Sequence, residues 1–382
     1  MEAKDLIDIL KRGEDSRQQF KRNITNTDAL AADMVAFSNG SGGRILLGVD
    51  DDGSIAGLAG EDVRRLNQMI SNAASQGVQP AINPVTENVL LDGGLVMVVE
   101  IPSGINKPYQ DKNGVFWVKS GSDKRKATSR EEIQRLFQRS NLIHADEIPV
   151  PGTTASDIAM EYFKAFFVKR FSETLDAQGL PLSKVLENMN LVQDGFLKVA
   201  CALLFMASPE YKLPSFIVKA GAFDADDLST TRYNDSRNIT GKLADVFKQT
   251  VNFIIANLHH VQDGQDFNSV GIPEIPREAI EEMVSNALIH RDYFTMAPVR
   301  VFVFRNRVEI ISPGHLPNSL TVENIKAGNS VARNPVLASF ANHLLPYRGY
   351  GSGILRALSL YRDLDFMDDR EGNLFKAVFK RK

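Results

Sequence analysis

Glu282, Asn286 and His290 stand at i, i+4 and i+8 in the run from Glu278 to Tyr293, so a helix there would hold them in one row. Ile280, Met283, Val284, Ala287 and Leu288 make an apolar stripe beside that row, which sets the polar side chains at a core boundary. A carboxylate and an amide one turn apart at such a boundary are costly unless something polar meets them. A hydrated metal ion with phosphates beyond it is one such partner, and solvent over an ordinary helix face is the other. The helix by itself fits both.

The elements that follow would position a ligand against that row. Val299–Phe304 and Arg307–Ile311 read as a hairpin around Arg305-Asn306, ending in a loop from Ser312 to Pro317. Thr321 to Leu345 holds Ser330-Val-Ala-Arg-Asn-Pro335, a mobile segment between helices by its composition. Gly349-Tyr-Gly-Ser-Gly353 then leads straight into an apolar-striped helix. A glycine turn at a helix start offers free backbone N–H groups and the positive dipole end, which suit phosphate. A polar helix, a hairpin, a loop and a glycine turn in this order favour the metal–phosphate reading. Leu374–Phe379 closes the stretch as a strand.

Length and composition bound the rest. At 382 residues two or three domains are expected, and 43% hydrophobic with 24% charged residues describes an ordinary globular chain. No apolar run approaches a membrane span, the N-terminus is charged rather than signal-like, and Cys201 is the single cysteine. These features lead us to expect a cytoplasmic protein without membrane contact. A net charge of −3 argues against a globally basic nucleic-acid binder but leaves room for a local patch.

Such a patch lies between Lys119 and Arg139, with seven basic residues against three acids. Lys119, Lys124, Arg125 and Lys126 are expected around a strand and its loop, with Arg130, Arg135 and Arg139 on a helix after Ser129. The cluster suits phosphate backbones; a solvated charged helix is the plain alternative. Ahead of it we expect a helix over Ala29–Ser38 capped by Asn26 or Thr27, and strands at Ile45–Val49, Val85–Leu91, Leu95–Ile101 and Val115–Lys119. Asp146–Thr154 reads as a linker. Three helices follow, at about 157–171, 182–189 and 195–206, and then a strand over Phe216–Phe223. Asp235–Lys242 is expected to open a long helix. His259-His260 lacks further ligands at metal spacing and reads as surface.

Two family resemblances organise these observations. Glu14 with Phe20-Lys21, Asn39-Gly-Ser-Gly-Gly-Arg-Ile-Leu-Leu-Gly-Val-Asp50, Pro108-Tyr109 and Val118-Lys-Ser-Gly-Ser122 resemble the Schlafen-type AlbA-like module. It is described as DNA-binding, and in some relatives as a ribonuclease. Asn286-Ala-Leu-Ile-His-Arg-Asp-Tyr293, Arg307-Val-Glu-Ile-Ile-Ser-Pro-Gly314, Arg333-Asn-Pro335 and Gly351-Ser-Gly353 resemble the ATP-binding domain of the GHKL superfamily. The likeness is to its divergent branch, which carries an ATP-dependent DNA helicase-like description. The expected fold is an α/β (α+β) multidomain chain. It has an AlbA-like α/β module over 1–142, a helical segment over 143–214 and a GHKL (Bergerat-type) α/β sandwich over 215–382.

The resemblance implies site residues. Asn286 would hold Mg²⁺ bridging the phosphates of ATP, and Glu282 would orient or deprotonate the attacking water. Gly349, Gly351 and Gly353 would wrap the phosphates, with Ser312 and Gly314 on the adenine side. Ser312 stands where the superfamily has an Asp that accepts from the adenine amino group, and Leu316 replaces a glycine of that loop. Affinity for adenine should suffer, and another nucleotide stays open as the ligand. His290 is then a structural residue of the turn closing the helix. The expected function is a nucleotide-responsive DNA-binding transcriptional regulator, homo-oligomeric and at most a weak ATPase, with RNA as a possible target besides DNA. The alternative is a Schlafen-like metal-dependent endoribonuclease built on Glu14 and Asp50. There Gln19 stands at the position of a third carboxylate and could not act as a base.

Overall fold

The structure, a computed structural model, describes residues 3–140, 142–229, 233–261, 271–317, 320–347, 349 and 351–381. It falls into two compact units, Met1–Ile143 and His144–Lys382.

In the first unit a sheet of four strands, β1 (Gln18–Lys21), β2 (Gly43–Leu47), β3 (Val85–Leu91) and β4 (Gly94–Ile101), runs in the order β1-β2-β4-β3. The pairing of β1 with β2 is parallel and the other two are antiparallel. Alternate residues serve opposite faces. Ile45, Leu47, Met97 and Val99 pack with helices α2 (Thr27–Asn39) and α3 (Gly60–Asn72), while Leu46, Val96 and Val98 pack with Leu6 and Ile9 of α1 (Ala3–Arg12). Asn26 caps α2, its side chain accepting from the N–H groups of Asp28 and Ala29. Helix α3, which our sequence reading did not include, buries Leu66 and Ile70 against α2. A small hairpin, β5 (Trp117–Ser120) and β6 (Asp123–Lys126), leads to α4 (Arg130–Arg139).

In the second unit α5 (Met160–Phe171), α6 (Leu182–Asn188) and α7 (Val199–Phe205) precede a six-stranded sheet. Every residue of α7 is buried, Cys201 included, in the same hydrophobic cluster as the sheet and its helices. The strands β7 (Val218–Ala222), β8 (Asp235–Ile239), β9 (Val299–Val303), β10 (Arg307–Pro313), β11 (Leu364–Asp369) and β12 (Leu374–Lys380) run in the order β8-β7-β9-β10-β12-β11. Only the β7–β9 seam is parallel. Helices α8 (Leu243–Ala256) and α9 (Arg277–Ile289) pack side by side, and α10 (Val322–Lys326), α11 (Pro335–Leu344) and α12 (Ser352–Leu360) complete the unit.

Several expectations need correction. Residues 146–154 are packed rather than a free linker, with Asp146, Val150 and Thr153 buried in the second unit, and the helix expected over 195–206 begins only at Val199. Residues 235–239 do not open a helix: they pair along β7 as an edge strand, and Gly241, at φ +109°, turns the chain before α8 begins. Ser312 and Pro313 are not loop residues but the end of β10, opposite Phe375 and Leu374.

Candidate functional site

Helix α9 carries Glu282 and Asn286 along one wall of a cleft of about 1010 Å³, its open mouth included. The glycine turn and the start of α12 form the facing wall, and β10 with the loop after it closes one end. Glu282 is 8% exposed, and both its carboxylate oxygens are engaged. Oε1 accepts from Asn286 Nδ2 at 3.0 Å, and Oε2 is 2.9 Å from Arg356 Nη2. The amide therefore spends its nitrogen on Glu282, which leaves Asn286 Oδ1 as the acceptor free for a cation. Gly353 lets α12 come this close, because a Cβ there would stand 1.6 Å from Glu282 Oε1. Gly351 has φ +72° and its Cβ would meet Gly328 O at 2.1 Å, so backbone handedness and space both demand glycine. Gly349 is exposed and Tyr350 lies outside the described residues.

At the other end Ser312 is buried, and its hydroxyl donates to Ala287 O on α9 at 3.0 Å. What it can offer a ligand is a lone pair. Gly314, at φ +99°, lies against Arg333, whose guanidinium donates to His315 O. Among the described residues lining the cleft Glu282 is the one acid, set against Arg333 and Arg356, so the cavity favours an anionic ligand. His290 caps the end of α9, and its Nε2 lies 3.1 Å from Tyr347 Oη. Burial and the nearby Arg333 charge push it down to about 4, so it stays neutral. Asn334, fully buried, donates to the carbonyls of Ile289 and Arg291 and seals the same helix end. The Arg333-Asn-Pro335 run thus divides its labour: Arg333 lines the cleft, Asn334 holds α9, and Pro335 starts α11.

In the first unit the basic residues part company. Lys119 and Lys124 lie on the hairpin face that packs on α2. Lys119 sits 4.6 Å over the Phe37 ring, with its pKa lowered by burial. Lys124 pairs at 2.6 Å with Asp33, a 1%-exposed carboxylate that Lys21 also approaches at 3.2 Å. Arg125 points the other way, forked onto Glu132 at 2.6 and 2.9 Å. Lys126, 5.4 Å over Trp117, and Arg130 are exposed and form no ion pair among the described residues. Arg139's side chain lies outside what is described. Of the two carboxylates in the alternative reading, Glu14 accepts from Phe20 N–H at 2.6 Å, and Asp50 is 3.8 Å from Arg22. No cluster of three metal-ligating side chains occurs among the described residues.

A family described as "Schlafen, AlbA_2" matches residues 14–128, and one described as "Putative ATP-dependent DNA helicase recG C-terminal" matches residues 297–372. The chain carries a Schlafen AlbA_2 domain and a RecG-like ATPase-type domain. Domains of these kinds point to nucleic-acid binding in the first unit and nucleotide binding in the second. The RecG-like match includes Ser312, Gly314 and the glycine turn but begins after α9, so Glu282 and Asn286 stand outside it. Of solved structures, the DIP2311 protein from Corynebacterium diphtheriae is 21% identical with a TM-score of 0.46, covering 99% of this chain and 80% of that one. The N-terminal domain of a RecG-related protein from Nitrosomonas europaea is 25% identical with a TM-score of 0.26, covering 34% of this chain and 96% of its own. A phosphoglucosamine mutase from Aliarcobacter butzleri (strain RM4018) is 28% identical over 105 residues, 24% of this chain. The match spans only 22% of that enzyme's length, and likenesses of this size carry no functional argument. No helix of the described residues is long and apolar enough to cross a membrane.

Sequence reading missed Arg356 and Arg333. Arg356 was legible as a helix residue one turn after Gly353, but nothing in the spacing says that it reaches across to α9.

Proposed function

We propose that the protein is a nucleotide-responsive DNA-binding regulator of transcription. Its second unit binds ATP with Mg²⁺, and its first unit contacts the DNA backbone. The observation that carries this is the facing of Glu282 and Asn286 against the glycine turn across a cleft with two arginines and one acid. The residues fit a magnesium–triphosphate ligand. Mg²⁺ keeps several waters and takes phosphate oxygens, so one amide oxygen from Asn286 suffices as the protein's share. Gly349, Gly351 and Gly353 wrap the phosphates, and Ser312 with Gly314 borders the base. Glu282, held on both oxygens, is poorly placed to take a proton from water, which favours binding over turnover and at most weak hydrolysis.

Saturating ATP–Mg²⁺ should stabilise the second unit by about 2.7 kcal/mol at a hundred times its Kd. Asn286→Ala should abolish the increment while keeping the far-ultraviolet circular dichroism of the parent. A folded wild-type protein that shows no thermal shift with millimolar ATP sinks the proposal.

For the first unit we assign the DNA contact to Lys126 and Arg130, with Lys119, Lys124 and Arg125 behind them. Replacing Lys126 and Arg130 by alanine should weaken DNA binding and lower the salt slope of log K by about 1 per lost phosphate contact. The melting temperature should hardly change. Lys124→Ala should instead destabilise the unit, because buried Asp33 loses a partner. An unchanged salt slope in the double variant would remove these two residues from the interface.

A further inference from the structure

Arg356 supplies the counter-charge for the nearly buried Glu282 carboxylate, yet the pairing leaves its own guanidinium only partly satisfied. Arg356 sits one turn into α12, directly behind the glycine turn; it lines the cleft, and its side chain is 41% exposed. Only Nη2 reaches Glu282, while Nε is buried and has no hydrogen-bond partner. A guanidinium with an unmatched buried donor is half-satisfied, and a tetrahedral phosphate is the group its fork fits best. Glu282 in turn stands where Gly353 allows almost no freedom, so the movable member of the pair is Arg356.

Resting on the reading of this cleft as a nucleotide site, we propose that Arg356 is the receptor for the terminal phosphate of a nucleoside triphosphate, held on Glu282 until that phosphate arrives. The ligand class is therefore a triphosphate rather than a mono- or diphosphate. Binding exchanges one carboxylate contact for a bidentate phosphate contact, and Arg356 satisfies its orphaned Nε in the same movement. Glu282 is left with Asn286 as its remaining partner. The pair thus acts as a brake on occupancy: its contact must be given up before the triphosphate can be grasped, and a ligand lacking the third phosphate gains nothing from breaking it.

Titration calorimetry of the full chain with ADP and with a non-hydrolysable ATP analogue, both with Mg²⁺, separates the possibilities. The wild type should prefer the triphosphate. Arg356→Gln should weaken the triphosphate analogue about ten-fold or more and leave ADP nearly unchanged. Arg356→Lys should recover part of the loss as a point charge. Glu282→Gln should tighten the analogue several-fold, because Arg356 is released. A role for Arg356 in fold integrity alone would weaken both ligands equally. Equal loss for ADP and the analogue in Arg356→Gln, or no gain in Glu282→Gln, overturns the inference. Absence of binding by the wild type to either ligand would instead overturn the nucleotide reading itself.

Discussion

Gly353→Ala should destabilise the second unit by about 1–3 kcal/mol, against the trend for glycine in helices. Alanine in place of a helical glycine ordinarily gains about 1 kcal/mol, and Gly353 has no left-handed backbone to defend. The added methyl, however, would stand 1.6 Å from Glu282 Oε1 and 2.2 Å from its Cδ. That carboxylate is 8% exposed and tied to Asn286 and Arg356, so moving it breaks both contacts and leaves a charge poorly solvated. The steric and electrostatic losses outweigh the propensity gain. Because the clash is with one side chain, Glu282→Ala in the Gly353→Ala background should restore part of the stability. Urea unfolding of the four proteins in this cycle should give a coupling of about 1 kcal/mol or more. Simple additivity of the two substitutions would mean that α12 and α9 do not meet as described.

Asp146→Asn should make the protein more stable at neutral pH. Asp146 is fully buried between α7 and α11, one oxygen accepting from Leu337 N–H at 2.7 Å and the other without a partner. Burial raises its pKa from 3.8 to about 6, with the Leu337 N–H and His144 pulling the other way and Glu147 adding to the rise. The folded state therefore holds the proton more tightly than the unfolded one. The protonated form costs nothing below about pH 4; the penalty for ionisation grows as pH rises and is complete above about 6. A shift of about two units corresponds to roughly 3 kcal/mol at pH 7. Asparagine keeps an acceptor for Leu337 and carries no charge. Its advantage should appear in urea midpoints at pH 7.5 and vanish near pH 4. A variant less stable than wild type at pH 7.5 would show that the ionised carboxylate is wanted at the head of α11.

Much of this architecture was legible because its signals are local. The α9 row, the β9–β10 hairpin and the glycine turn announce themselves through period, turn residues and spacing. What was not legible depends on partners far along the chain. Residues 235–239 are polar, and only pairing with β7 makes them a strand. Strand β11, rich in acids, is likewise created by its neighbour β12. The basic cluster looked uniform in sequence, yet Asp33 and Glu132 claim Lys124 and Arg125, leaving Lys126, Arg130 and Arg135 exposed without an ion pair among the described residues. The hydroxyl of Ser312 was expected to accept in place of a carboxylate, and its lone pairs keep that capacity. What no spacing rule carries is that its O–H is committed to Ala287 O, so it has no proton left to donate to a ligand.

The strand order of the second unit has a consequence for how the cleft comes into being. The seam between β7 and β9 joins Val218 to Val299, and that between β10 and β12 joins Arg307 to Lys380. Both close loops of roughly 70–80 residues, and such non-local pairings are the slow steps of assembly. The cleft draws one wall from α9, an end from β10 and the facing wall from the glycine turn and α12, so its parts come from stretches that these seams bring together. A growing chain that has reached Pro317 has its helix row but neither the glycine turn nor the strand that braces β10. Ligand capture as proposed would therefore require the whole second unit, and the RecG-like stretch cut out alone, which begins after α9, would lack one wall of the cleft.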